Sequence, residues 1–227
     1  MRYPYLLFDA DDTLFDFQKV AVSAFSAMCQ ANDIPDTPEN YQLYHEINAV
    51  LWTAFEQGKV TKEFVTHERY VRFLAALKLN RNPAKCNTDY LTALGQAVYP
   101  LPYAEEVCQI LFDRGHHLYI VTNAVASVQR SRLQKCKFKH LFTDAFISED
   151  AGASKPTKAY YDYVCTQIPA LTLDNTLIIG DSLTTDILGA NNAGFPCCWF
   201  NPKRKPAPEQ LRIDYEIQDL RELLDIV

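Results

Sequence analysis

The 227-residue sequence has no apolar run long enough to span a bilayer, so it is not expected to be a membrane protein. Its one early apolar stretch, Tyr5 to Phe8, is cut short by Asp9, Asp11 and Asp12, which argues against a secretory leader and for a cytoplasmic setting. The seven cysteines are odd in number and scattered, with no CxxC spacing. That pattern points away from a disulfide framework or a zinc site and toward reduced thiols. The five histidines, His45, His67, His116, His117 and His140, show neither metal-ligand spacing nor a link to a serine or cysteine nucleophile. Positive charge is in deficit: the formal net charge is −6, so non-specific nucleic-acid binding is not expected. A phosphorylated small molecule stays open as a ligand, provided the site supplies its own positive charge. The densest basic cluster, Arg130, Arg132, Lys135, Lys137 and Lys139, reads as a solvated helix face. There is no internal repeat and no low-complexity segment.

What the sequence does have is concentrated at Leu6-Leu7-Phe8-Asp9-Ala10-Asp11-Asp12-Thr13-Leu14. A short apolar run bounded by polar residues predicts a buried parallel strand. Ligands in such sheets sit beyond the carboxyl ends of the strands, which is where these carboxylates fall. Asp9 and Asp11 are two apart, so in extended chain they share a face and repel unless a cation intervenes or one is protonated. A divalent cation meets the first need and acid/base work the second. A plainer alternative is an acidic turn in which Asp12 or Thr13 caps the next helix.

From about Lys19 to Val98 the period is helical. Val22, Phe25 and Cys29 form one stripe and Tyr44, Ile47, Leu51 and Phe55 a second. Tyr70, Val71, Leu74 and Leu77 mark a third helix, and Leu91, Leu94 and Val98 a fourth. Breaks fall at 33–38, 58–61 and 80–86. Beyond Pro100 helices alternate with strands at 118–121, 145–147, 176–179 and 196–200, with 215–217 as a last edge strand. This alternation predicts an α/β, doubly wound parallel sheet. The expected domains are therefore a core of residues 1–17 and 99–227 and an inserted helical domain of residues 18–98. Strand ends at Asp9, Thr122 and Asp181, with Lys155 in the loop before Pro156, would gather carboxylates, a hydroxyl and an ammonium suited to a divalent cation and a phosphoryl group.

With these residues the chain resembles the haloacid dehalogenase superfamily of phosphohydrolases. The resemblance rests on Asp9-Ala10-Asp11-Asp12-Thr13, Val121-Thr122-Asn123, Ser154-Lys155-Pro156 and Gly180-Asp181 followed by Asp186, four motifs in order along the whole chain. It implies Asp9 as nucleophile, forming an aspartyl-phosphate, and Asp11 as acid for the leaving oxygen and then base for water. It implies phosphate binding by Thr122, Asn123 and Lys155. Mg²⁺ would be held by the carboxylates of Asp9 and Asp181 and the Asp11 backbone carbonyl, with Asp186 acting behind them on Lys155 or a metal-bound water. Asp12 and Ala124 stand where many members have glycine. Dehalogenases of the superfamily lack the second acid, so Asp11 favours phosphate chemistry.

The segment from Tyr44 through Asn48, Leu51, Trp52, Phe55 and Gly58 to Thr61 resembles the helical cap of bacterial pyrimidine 5′-nucleotidases. That implies a nucleoside 5′-monophosphate as the small-molecule substrate. Trp52 and Phe55 are candidates to stack on a base, with packing inside the cap as the alternative. A sugar-phosphate or phosphoglycolate phosphatase, a phosphomutase and a non-catalytic binding protein are the other readings.

Overall fold

A computed structural model of the chain describes residues 2–227. Six strands form one sheet: β1 (Tyr5–Phe8), β2 (His117–Thr122), β3 (Phe142–Ile147), β4 (Thr176–Gly180), β5 (Cys197–Phe200) and β6 (Tyr215–Ile217). All pairings are parallel and the order is β3-β2-β1-β4-β5-β6. The strand order therefore reverses beside β1, the position where open parallel sheets bind ligands. Phe8 is level with Ile120 on one side and Ile179 on the other. The residues after β1, at the end of β2 and after β4 consequently lie side by side.

The nine helices are α1 (Phe17–Ala31), α2 (Pro38–Glu56), α3 (Lys62–Ala76), α4 (Pro83–Leu94), α5 (Ala104–Asp113), α6 (Ala126–Lys135), α7 (Ser148–Ala151), α8 (Lys158–Gln167) and α9 (Leu188–Ala193), counted among the described residues. The chain divides into two compact units, Met1–Phe17 with Val98–Val227, and Gln18–Ala97. None of the helices among the described residues is long and apolar enough to cross a membrane. All seven cysteines are free. The expected doubly wound parallel core with a helical insertion is what the chain forms.

In the sheet-bearing unit, alternate side chains of each strand go to opposite faces. Leu6, Phe8, Leu118, Ile120, Leu177 and Ile179 pack with Val107 and Leu111 of α5 on one face. Leu7, Tyr119, Val121, Ile178 and Trp199 pack with Tyr160, Tyr161 and Val164 of α8 on the other. Burial on both faces explains why the strands are continuous apolar runs rather than alternating ones. His116 is buried, with Nδ1 2.9 Å from the Tyr3 carbonyl.

In the helical unit, Thr37, Thr61 and Asn82 cap α2, α3 and α4 by accepting from Asn40, Phe64 and Ala84 backbone N–H groups. Phe25, Tyr44, Tyr70, Phe73 and Tyr90 form an aromatic core. Arg69 is buried among them, donating to Asn48 at 3.1 Å and to Asn87 at 2.7 Å. Val22 is 50% exposed, because the buried face of α1 runs through Ala21, Ala24, Phe25 and Met28 instead. Trp52 and Phe55 meet edge to face at 5.5 Å.

Candidate active site

The amide of Asp9 continues the ladder one residue past β1, donating to the Ile179 carbonyl at 2.8 Å. This fixes the Asp9 backbone against β4 and puts Asp9, 8% exposed, at the carboxyl end of the central strands. The chain then turns through Asp12, whose φ of 61° lies in the left-handed region. Glycine suits that region best and aspartate tolerates it, which accounts for an Asp where relatives of the pattern place Gly. The Asp12 carboxylate also accepts from the Phe17 amide, the first of α1, at 3.0 Å, but it stands five residues before Phe17 and so is not at the N-cap position of that helix.

Lys155 is the hub. It is 1% exposed, and its ammonium donates to Asp9 Oδ1 at 2.6 Å, Asp186 Oδ1 at 2.7 Å and the Val121 carbonyl at 2.8 Å. Three donors meet three acceptors, so the buried charge is fully satisfied. Its backbone is clamped by Asn123, which accepts from the Lys155 amide at 3.0 Å and donates to its carbonyl at 2.8 Å. The Asn123 side chain is thus committed to holding the loop before the cis Lys155–Pro156 bond, which leaves its backbone N–H as the group to carry the phosphate role expected of this residue.

Asp186 is fully buried, and its second oxygen accepts from the Ser182 amide at 3.1 Å. It sits in a π-helical turn, Leu183–Ile187, that leads into α9. The wider turn accompanies a side chain that lies over Gly180. A Cβ at Gly180 would come within 2.3 Å of Asp186 Cγ, so only glycine fits. Asp181 follows directly. Its carboxylate lies 3.5 Å from the Thr13 hydroxyl and its carbonyl accepts from Trp199 Nε1 at 2.9 Å.

Thr122 is buried at the end of β2. Its hydroxyl accepts from the Ala124 amide at 3.1 Å, which leaves its own hydrogen to donate elsewhere. Its amide donates to the Tyr160 hydroxyl at 3.1 Å, and that hydroxyl donates to the Phe146 carbonyl at 2.7 Å.

Asp9, Asp181 and Asp186 each offer a carboxylate oxygen, all within 4.8 Å of one another. Three carboxylates against one ammonium leave a formal surplus of two negative charges. The electrostatics register that surplus. Burial pushes the Asp9 carboxyl well up, Lys155 pulls it down, and Asp186 and Asp181 push it up again. Burial, Asp186 and Asp12 together push Asp181 up to about 7. Burial opposes the Lys155 charge, but Asp186 and Asp9 outweigh it and hold the ammonium well above its ordinary range. A hard divalent cation with a few carboxylate ligands would cancel the surplus, so the donor set fits Mg²⁺. Asp186, with both oxygens already engaged, is the poorest direct ligand of the three. The Asp11 carboxylate is not in this group; only its backbone carbonyl was assigned to the metal from sequence.

Asp11 is held instead by Arg132 of α6, whose Nη1 donates to Asp11 Oδ1. This corrects the expectation of a solvated basic face: Arg132 is 1% exposed. Sequence reasoning missed it, because the stripe it belongs to shows in burial and only weakly in residue type. Gln129, Arg132, Leu133 and Cys136 recur at i, i+3, i+4 and i+7, and all four are buried. Tyr160 and Trp199 were likewise missed as supports of Thr122 and Asp181, because an aromatic on an apolar stripe looks like core.

A sequence-family profile described as "Haloacid dehalogenase-like hydrolase" matches residues 6–200. The Bacillus subtilis protein YfnB, named as a HAD-hydrolase, is 38% identical over all of this chain and 96% of its own length. The pyrimidine 5′-nucleotidases PynA of Streptococcus pneumoniae and YjjG of Escherichia coli are each 31% identical, covering 99% and 98% of this chain and 95% and 97% of theirs. A magnesium-bound crystal structure of YfnB has a TM-score of 0.94 and covers 100% of this chain and 99% of that one.

Proposed function

The chain belongs to the haloacid dehalogenase-like hydrolase family, and from that premise we propose that it is a Mg²⁺-dependent phosphomonoester hydrolase acting on nucleoside 5′-monophosphates. The observation that carries the reading is the cluster of the Asp9, Asp181 and Asp186 carboxylates with the Lys155 ammonium, with Thr122 at the end of the strand next to β1 and a second acid, Asp11, two residues from Asp9. A nucleophilic carboxylate, a cation site and a separate acid are the parts that phosphoryl transfer through a carboxylate needs.

The Asp9 carboxylate attacks phosphorus, forming an O–P bond as the bond to the leaving oxygen breaks. Asp11 gives that oxygen a proton. Water then attacks phosphorus, Asp11 takes its proton, and the O–P bond to Asp9 breaks to release phosphate. Lys155 holds Asp9 in place and offsets negative charge as the phosphoryl group arrives. Thr122 donates its free hydroxyl hydrogen to a phosphoryl oxygen, and the backbone N–H of Asn123 is the group that residue has left for the same purpose. Asp186 fixes the Lys155 ammonium. When bound, Mg²⁺ would be held by Asp9 and Asp181 and would neutralise the charge that the carboxylates and phosphate share.

The nucleotide preference is supported by the two nucleotidase relatives and by the segment around Asn48, Trp52 and Gly58. A relative 25% identical is named a ribulose-1,5-bisphosphate 5-phosphatase, which makes sugar phosphates the second substrate class to include. The test is a panel of phosphate esters with Mg²⁺, ranked by kcat/KM. Pyrimidine deoxynucleotides such as dUMP and dTMP should stand near the top. Sugar phosphates or phosphoglycolate above every nucleotide would overturn the substrate assignment alone. Isomerisation of a sugar phosphate without phosphate release would replace hydrolysis by mutase chemistry.

A further inference from the structure

We infer that Arg132 is a positioning residue for proton transfer: it holds Asp11 by Oδ1, so that Oδ2 is the oxygen that carries the proton to and from the reacting oxygens. The inference rests on the phosphohydrolase reading of the same site and adds a residue that reading does not use.

A guanidinium only donates, so an Asp11 oxygen that accepts from Arg132 Nη1 carries no proton of its own. Any proton on Asp11 therefore sits on Oδ2. Arg132 is 1% exposed while the Asp11 side chain is 25% exposed, so the acid stays partly reachable although its Oδ1 is held by a buried partner. Arg132 is itself fixed from two further sides. Its Nη1 also donates to Gln129 Oε1 at 3.2 Å, and its guanidinium lies 5.2 Å from the centroid of the Phe15 ring. Phe15 in turn is tied to the catalytic turn, because its amide donates to the Ala10 carbonyl at 2.9 Å and its carbonyl accepts from the Asp12 amide at 2.7 Å. The residue that grips Asp11 is thus packed against the loop that carries it.

Arg132 Nε and Nη2 are buried with no hydrogen-bond partner among the described residues. Packing alone does not call for a charge at such a place, since apolar residues of similar volume replace buried ion pairs at little cost. A charge aimed at one oxygen of a candidate acid is accounted for by control of that acid.

The test compares wild type, Arg132→Gln, Arg132→Lys, Asp11→Asn and the two double variants on a nucleoside monophosphate and on p-nitrophenyl phosphate, with Mg²⁺. A nucleoside alkoxide needs a proton to leave and p-nitrophenolate does not. Arg132→Gln should lower kcat on the nucleotide by about tenfold to a hundredfold, part of the general-acid contribution, with at least tenfold less effect on the nitrophenyl ester. Arg132→Lys keeps the charge without the planar fork and should fall between. In the Asp11→Asn background, either Arg132 change should cost less than about twofold more, since positioning acts only through the acid. If Arg132→Gln does not fold, Arg132→Lys and its double variant decide by the same two criteria. Equal losses on both esters, or losses that multiply with Asp11→Asn, would make Arg132 merely structural while the hydrolase reading stands. A wild-type protein silent on every ester would overturn the hydrolase reading and this assignment with it.

Discussion

Removing the Lys155 ammonium tests the centre of the site most directly. Lys155→Met keeps most of the stem and deletes a charge that bridges Asp9 at 2.6 Å and Asp186 at 2.7 Å in a region 1% exposed. Two carboxylates then remain buried, with Asp181 close by and no cation beside them. Breaking a buried pair from one side costs about 3–5 kcal/mol, because the surviving charge stays desolvated. For a chain of this length that corresponds to a fall in Tm of roughly 6–20 °C. The stranded carboxylates can escape by taking up protons. In the variant their folded-state proton affinity lies above the unfolded value, so stability is retained at acid pH and lost as pH rises. The gap to wild type should therefore be wider at about pH 8 than at about pH 5. Mg²⁺ supplies another positive charge and should recover part of the loss, whereas Lys155→Met/Asp186→Asn should be more stable than Lys155→Met alone. The assay is thermal unfolding at several pH values with EDTA or Mg²⁺. A change in Tm within about 2 °C at every pH, the size expected of a surface lysine, would refute the buried hub.

Asp9→Asn should leave a folded protein whose turnover is below about 1% of wild type, a barrier increase of at least about 2.7 kcal/mol, checked by phosphate release with unfolding as control. Asp11→Asn should cost more on a nucleoside monophosphate than on p-nitrophenyl phosphate, and equal losses would give Asp11 some other task. EDTA should abolish turnover and Mg²⁺ restore it, with Asp181→Ala raising the Mg²⁺ concentration needed rather than lowering Tm; full activity without metal would remove Asp9 and Asp181 as ligands. Asp181, pushed up to about 7 in the metal-free protein, contributes stability that is present below its unfolded value near 4 and lost as pH rises through 7. Added Mg²⁺ should accordingly raise Tm more at about pH 8 than at about pH 5.5. Gly180→Ala would place a methyl group 2.3 Å from Asp186 Cγ, so it should displace Asp186 and reduce both Tm and turnover; a fully active Gly180→Ala would show that this close approach has no function.

The parts of the site that announce themselves in sequence are those where a strand ends in a polar residue. Asp9, Thr122 and Asp181 stand out because each interrupts an apolar run, and the parallel register brings those interruptions together. The strand and helix alternation after Pro100 follows from periodicity, so the core architecture was equally legible. The π-helical turn at Leu183–Ile187 was not, because its residues are compatible with an α-helix and only the approach of Asp186 to Gly180 distinguishes it. What the Asn123 side chain does was not legible for a related reason: an amide beside a phosphate motif can face a ligand or a backbone, and a backbone partner 32 residues away is invisible to local reading. Arg132 was hidden by its neighbours. Arg130, Lys135 and Lys139 are exposed, and a helix so rich in charge gives a weak apolar stripe from which to single out one buried arginine.

Asp9 and Asp11 began as two like charges two residues apart, in need of a cation between them or a proton on one. The structure separates them by a third means. Each has its own buried cation from a different part of the chain, Lys155 from the loop before Pro156 and Arg132 from α6. The two cations differ in kind, and the difference suits two tasks. The Lys155 ammonium is a compact point charge shared between Asp9 and Asp186, so it can follow negative charge as that charge moves onto a phosphoryl group. The Arg132 guanidinium is a planar donor that never gives up its proton, so it can orient Asp11 without joining the proton transfer. On the proposed reading, the nucleophile and the acid, built from the same side chain, are thus told apart by what holds them. That distinction predicts that exchanging the two cations, by Lys155→Arg or Arg132→Lys, should impair different steps. Lys155→Arg should slow turnover of both esters, and Arg132→Lys chiefly that of the ester whose leaving group needs a proton. Single-turnover kinetics on the two esters would show whether the losses divide in this way. Identical profiles for the two exchanges would mean that the site treats its two aspartates as one charge.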